Sequence, residues 1–104
     1  MSMNGGAAFA GIAGLDDEGA VPARFSDECL AALAAANALL AASGLSLHDA
    51  RHIACVVRDA DAFARCQTLV SEALGPARPS VTLRVVHRFE RAEQRIALGV
   101  AAVL

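Results

Sequence analysis

The last ten residues constrain the fold most. In Arg95–Leu104 (RIALGVAAVL), Ile96, Leu98, Val100 and Leu104 alternate with Ala97, Ala101 and Val103, and both sets are apolar. A strand sends successive side chains to opposite faces, so a strand with this pattern must be covered on both. The rest of the chain supplies two helical segments, and two helices cover one face of a sheet. The other face then needs a second subunit. Composition points the same way. Apolar residues make up 56% of only 104, a large share for a chain with so much surface for its volume.

The remaining elements read off in order. Residues 7–14 predict a short strand, Leu15–Gly19 a turn, and Ala20–Ala23 a brief second strand ending near Pro22. Ser26 is the expected N-cap of a first helix, with Asp27 and Glu28 at its positive end. Gly44 is its natural terminator. Leu30, Leu33, Asn37, Leu40 and Ala41 should share one side of it. After a loop or single turn over Leu45–Ala50, Arg51–Val57 reads as a strand. Asp59 or Asp61 should cap a second helix, with Phe63, Cys66, Val70 and Leu74 as its apolar stripe and Gly75-Pro76 as its stop. Ser80–Phe89 reads as a strand with Val81, Leu83 and Val85 on one face, and Glu90–Gln94 as a charged turn. The expected fold class is α/β in the broad sense: an α+β two-layer sandwich with two helices on one face of a mixed sheet, one domain over residues 1–104.

Charge and composition exclude several functions. The formal net charge is −2, the arginines are scattered, and Trp and Tyr are absent. A basic stripe with stacking aromatics is missing, so no nucleic-acid partner is expected. Cys29, Cys55 and Cys66 are odd in number and lack CxxC spacing. Reduced, buried thiols of a cytoplasmic protein are expected rather than a disulfide framework. The N-terminus lacks a basic leader region, and the apolar stretch Cys29–Leu47 is rich in alanine with Asn37, Ser43 and Gly44 inside it. Neither a signal peptide nor a membrane span is expected.

From Ala42 to Val103 the chain resembles the YjgF/RidA family. Gly44-Leu45-Ser46-Leu47-His48-Asp49 is similar to the family's Gly-x-Ser-Leu-x-Asp turn, and Val56-Val57-Arg58-Asp59 followed by Phe63 to its strand-to-helix junction. Pro76-Ala77-Arg78 resembles the Pro-Ala-Arg segment that opens its next strand, and Gln67 stands where many members carry Asn. Gly11–Gly19 resembles a shortened second strand and turn. The resemblance implies a chorismate-mutase-like homotrimer with sites in inter-subunit clefts. It also implies hydrolysis of reactive enamines and imines, an arginine on the substrate carboxylate, and no cofactor. The chain departs from the active pattern: Arg95–Val100 holds no carboxylate where deaminating members carry Glu, there is no Tyr, and the first hairpin is short.

Arg78 is the leading site candidate, since its planar guanidinium can grip a carboxylate with two hydrogen bonds. Ser80, two residues on, could add a hydroxyl to the same ligand. Glu90 and Glu93 are the carboxylates nearest in sequence to the missing Glu, and either could reach a cleft from the turn. Each also has a plain reading, as a solvated loop arginine, a strand-start serine or turn glutamates. His48 and His52 have metal-like spacing with Asp49 and Cys55 nearby, but a turn entering a strand would separate them, and no metal is expected. His87 reads as a half-exposed strand histidine. Cys29, in a first helical turn, could be activated there but has no paired His. The expected function is hydrolytic deamination of a small imine or enamine bearing a carboxylate. The alternative is a non-catalytic or pathway-specific protein that binds a small anionic metabolite. The ribonuclease activity attached to some older family names has no support in an acidic chain without a visible acid–base pair.

Overall fold

The protein is described by a computed structural model covering residues 6–103. Its elements are β1 (Gly6–Ala13), α1 (Phe25–Ala41), a 3-10 turn (Leu47–Asp49), β2 (Ala50–Val57), α2 (Ala60–Leu74), β3 (Ser80–Val85) and β4 (Ile96–Val103). The strands form one sheet in the order β1-β4-β2-β3. β4 runs antiparallel to both β1 and β2, while β3 runs parallel to β2, so the sheet is mixed. The parallel pair is joined by α2, the crossover helix that such a pair needs.

The doubly apolar segment is accordingly a central strand. Ile96, Leu98, Val100 and Ala102 are buried toward the helices with Ile53, Cys55 and Val57 of β2. Ala97, Gly99 and Ala101 look the other way, beside Val56, Ala54 and His52 of β2 and Ala13 and Ala8 of β1. That second face carries no helix. Leu104 lies outside the described residues.

α2 matches its sequence pattern. Phe63, Cys66, Val70 and Leu74 are its buried residues, and the Asp59 carboxylate caps it by accepting hydrogen bonds from the amides of Asp61 (2.9 Å) and Ala62 (3.3 Å). α1 differs in two respects. Its N-cap is Arg24, without a side-chain cap, so Ser26 lies inside the first turn. Its buried line is Glu28, Cys29, Ala32, Leu33, Ala36 and Leu40, leaving Leu30 46% exposed and Asn37 and Ala41 at the surface. One ion pair accounts for both shifts. Glu28 is fully buried and its Oε1 accepts a 2.6 Å hydrogen bond from Arg95 Nε, while the Phe25 ring lies 5.7 Å from the same guanidinium. Residues three apart share a helix face, so engaging Arg95 with both Phe25 and Glu28 fixes where the helix starts and how it is rolled. Among so many alanines no strong apolar stripe opposes that roll.

Ala20–Ala23 is not a strand. The Asp16 carboxylate accepts from the amides of Glu18 and Ala20, both at 2.9 Å, which closes a turn. The carbonyls of Pro22 and Ala23 then accept from the Arg95 guanidinium rather than from a neighbouring strand. β3 is shorter than expected, ending at Val85. The Val86 amide makes the last bond, 2.8 Å to the Val57 carbonyl, and the chain turns away. Val81, Leu83 and Val85 share the helix-side face with Ile53, Cys55 and Val57, yet all three are exposed. α2 packs over β2 and leaves this edge strand open.

Gly14 is where α1 crosses β1. A Cβ there would drive into the Glu28 carbonyl and come within 2.8 Å of the Ala32 nitrogen. Only glycine allows this approach.

Candidate functional site

The chemistry-bearing side chains gather at the two ends of the parallel pair β2/β3. Before β3, α2 ends at Leu74, Gly75 follows with a positive φ (59°), and residues 76–79 lead into the strand. Arg78 sits exposed in this short connection. Its Nη1 donates to the carbonyls of Ala77 (3.1 Å) and Gly75 (3.4 Å), so the loop's own backbone holds the guanidinium. One cavity beside it, of about 360 Å³, is lined by Ser71, Leu74, Pro79 and Val81. A second, of about 320 Å³, is lined by His48, Asp49, Arg51 and Arg78. Ser80 opens β3 opposite His52, exposed and two residues from Arg78. The His52 ring reaches two residues further along β3, with its Nε2 3.4 Å from Thr82 Oγ1.

The neighbouring 3-10 turn is built by a capping box. The Ser46 hydroxyl accepts from the His48 amide at 3.2 Å, and the Asp49 carboxylate accepts from the Ser46 amide at 2.9 Å. Asn37 Oδ1 accepts from the Leu47 amide and ties the turn to α1. His48 lies against Gly75, where a Cβ would meet Nε2 at 2.7 Å. His48 is thus packed on the Arg78 loop, whereas His52 is in β2, and among the described residues no group of three or more His, Cys, Asp or Glu could hold a metal ion.

Glu90 and Glu93 lie beyond the far end of β3. Neither of the two cavities that Arg78 borders is lined by Glu90 or Glu93. One chain therefore does not bring its predicted arginine and glutamates to one of these cavities. Glu90 borders a different cavity, of about 370 Å³, on the helix-free sheet face. Its floor is Gly11, Ala54, Ala97 and Gly99, with Phe89 and Gln94 at its side. Gln94 is 7% exposed: its Oε1 accepts from Arg91 and its Nε2 donates 3.0 Å to the Ile96 carbonyl. Arg58 Nη1 donates to the Ala92 carbonyl at 3.1 Å and holds the same segment from below. Glu93 is exposed, as is His87 in the bend after β3.

All three cysteines are buried and free. Burial, with smaller contributions from Cys66, Cys55 and Glu28, pushes the Cys29 thiol up to about 12, and burial pushes Cys55 up to about 11. A thiol held protonated in this way is a core side chain rather than a nucleophile.

No family model matches this sequence, and no curated protein matches it. Three-dimensional shape does. RidA from an Antarctic Psychrobacter superposes with a TM-score of 0.90 at 15% identity, covering 100% of this chain and 85% of that one. The fold is that of the YjgF/RidA proteins. Escherichia coli TdcF with bound serine gives a TM-score of 0.86 at 18% identity, covering 100% of this chain and 85% of TdcF. A Mycobacterium tuberculosis member of the YjgF/YER057c/UK114 family gives 0.83 at 18% identity, over 96% and 80%.

The sequence reading of a mixed sheet with two helices on one face is thus correct, and the resemblance that suggested it has a counterpart in shape. Arg51 and the Glu28–Arg95 pair were not singled out from sequence as site or strut. The signal for the second was the presence of Glu28 at a position that packs into the sheet rather than into solvent, and it becomes visible only when the roll of α1 is known.

Proposed function

We propose that this protein is a RidA-like homotrimer that binds small, carboxylate-bearing imines or enamines and hydrolyses them at clefts between subunits. The observation that carries this is Arg78. Its loop holds it at the edge of two cavities while leaving Nε and Nη2 free of hydrogen bonds among the described residues. Free nitrogens on a positioned guanidinium suit a carboxylate. Ser80 is close enough in sequence to add a hydroxyl to the same ligand. The serine bound to TdcF is a small molecule with a carboxylate, which supports this ligand class for the fold.

The separation of Arg78 from Glu90 supports a composite site. Pairing the guanidinium of one protomer with the Glu90 cavity of the next would cover the helix-free face with its small residues Ala54, Ala97 and Gly99. In the reaction, water adds to the imine carbon, the C–N bond breaks, and ammonia leaves as a carbonyl forms. Glu90 or Glu93 would move the proton. Three free, buried thiols suit a reducing cytoplasm. Among the described residues no helix is long and apolar enough to cross a membrane.

A second reading has its own observation. Ile96–Val103 contains no carboxylate, so a protein that binds the anion without turnover also fits. One experiment separates the two. An enamine such as 2-aminoacrylate, or an imine generated in place by an amino-acid oxidase, is mixed with the protein, and semicarbazide traps what remains. Faster loss of imine that disappears in Arg78→Ala supports hydrolysis. No acceleration by protein of confirmed trimeric mass would refute it, and binding of carboxylates without turnover would establish the second reading.

A further inference from the structure

The cavity of about 320 Å³ at the start of the sheet is more cationic than a monocarboxylate site requires. Three separate segments bring positive or hydrogen-bond-donating side chains to it: His48 from the 3-10 turn, Arg51 from the second position of β2, and Arg78 from the loop before β3. Arg51 sits where the pairing with β4 skips a residue, between the Ala50–Ala102 and His52–Ala101 partners. A bulge of this kind re-aims a side chain and leaves it out of the ladder. Among the described residues Arg51 makes no side-chain hydrogen bond or ion pair. Among the described residues the cavity's one carboxylate, Asp49, already accepts the Ser46 amide in the capping box. Among the described residues two arginines therefore border the cavity with one carboxylate that is partly committed elsewhere. Neighbouring guanidiniums repel, and an anion between them relieves that cost while taking hydrogen bonds from both.

We infer that His48, Arg51 and Arg78 form one anion site, and that its ligand carries a second acidic group: a dicarboxylate, or a carboxylate that also bears a phosphate. This rests on the proposed role of Arg78 as the carboxylate grip and adds a partner for the other end of the ligand. Arg78 holds one acidic group and Arg51, with the His48 ring beside it, holds the second. The remaining walls, Ala50, Ala77 and Val103, are small or apolar. They leave charge at the two ends of the ligand as the basis of selection.

The test is calorimetric binding of acetate, succinate and inorganic phosphate at matched ionic strength, to the intact protein, Arg51→Ala and Arg78→Ala. Succinate should bind at least about tenfold more tightly than acetate, the effect of one added charge-assisted hydrogen bond. Arg51→Ala should erase that preference by lowering succinate affinity at least about tenfold more than acetate affinity, and Arg78→Ala should weaken all three. Phosphate binding that follows succinate through the variants identifies a phosphorylated ligand, and succinate binding alone a dicarboxylate. Equal affinity for succinate and acetate, or equal losses of both in Arg51→Ala, overturns the inference while leaving the reading of Arg78 intact. Acetate binding untouched by Arg78→Ala overturns that reading and this inference together. Thermal unfolding of each variant without ligand establishes that it is folded.

Discussion

Glu28→Gln and Glu28→Ala together test what fixes α1 to the sheet. The Glu28 side chain has no exposure, and its two oxygens accept three hydrogen bonds: Oε1 from Arg95 Nε (2.6 Å), and Oε2 from the amides of Arg95 (2.8 Å) and Ile96 (3.3 Å). Glutamine keeps one accepting oxygen and turns an NH2 toward a donor. Its cost is roughly 1–3 kcal/mol, that of an unsatisfied buried donor. Alanine strands both amides and removes the guanidinium's carboxylate. Losing one partner of a buried pair costs about 3–5 kcal/mol. The low end applies here, because the Arg95 side chain is 32% exposed and solvent screens it. Arg95 also keeps its bonds to the Pro22 and Ala23 carbonyls. Urea denaturation at one fixed protein concentration reads the difference as a shift in midpoint at unchanged slope. If both variants fall within about 0.5 kcal/mol of wild type, as ordinary surface substitutions do, the strut is not what holds the layers together.

Three further outcomes are expected. Gly14→Ala should be far more disruptive than alanine at the exposed Gly19, because its methyl meets the backbone of α1 at Glu28 and Ala32; expression and thermal unfolding check this, and a stable Gly14→Ala protein would refute the close crossing. The native protein should not react with a thiol reagent at pH 8 until it is unfolded, since Cys29, Cys55 and Cys66 are all buried. Stability should also fall as pH rises above about 9. The folded state keeps thiol protons up to about 11 for Cys55 and about 12 for Cys29, while the unfolded chain releases them near the ordinary value of 9.0. Each thiol then removes about 1.4 kcal/mol per pH unit within its window, and replacing both with serine should flatten the urea-midpoint profile there.

Where the sequence was legible, one physical signal dominated locally. α2 has a clean stripe of large apolar residues between an Asp cap and a Gly-Pro stop, and each part is where its pattern puts it. β4 is apolar on both faces because it is a central strand. Where the reading missed, the deciding partner was distant. α1 is rich in alanine, so its roll is set by Glu28 reaching Arg95, 67 residues away. The carbonyls of residues 22 and 23 could not be known to serve a guanidinium more than 70 residues on. Arg51 owes its place at a cavity to a skipped pairing with β4, which nothing in Ala50-Arg51-His52 announces.

The two halves of the proposed site are held by different devices. Arg78 is steadied by the carbonyls of its own loop, Gly75 and Ala77, and His48 packs on Gly75 from the 3-10 turn. That half depends on local backbone. The Glu90 half is carried by the segment between β3 and β4, clasped by Arg58 at the Ala92 carbonyl and by Glu28 at the Arg95 and Ile96 amides. It depends on α1 staying docked. On the proposed function, breaking the strut would loosen Glu90 and the helix-free face more than Arg78, whose hydrogen bonds are to its own loop, so turnover would fall further than carboxylate binding.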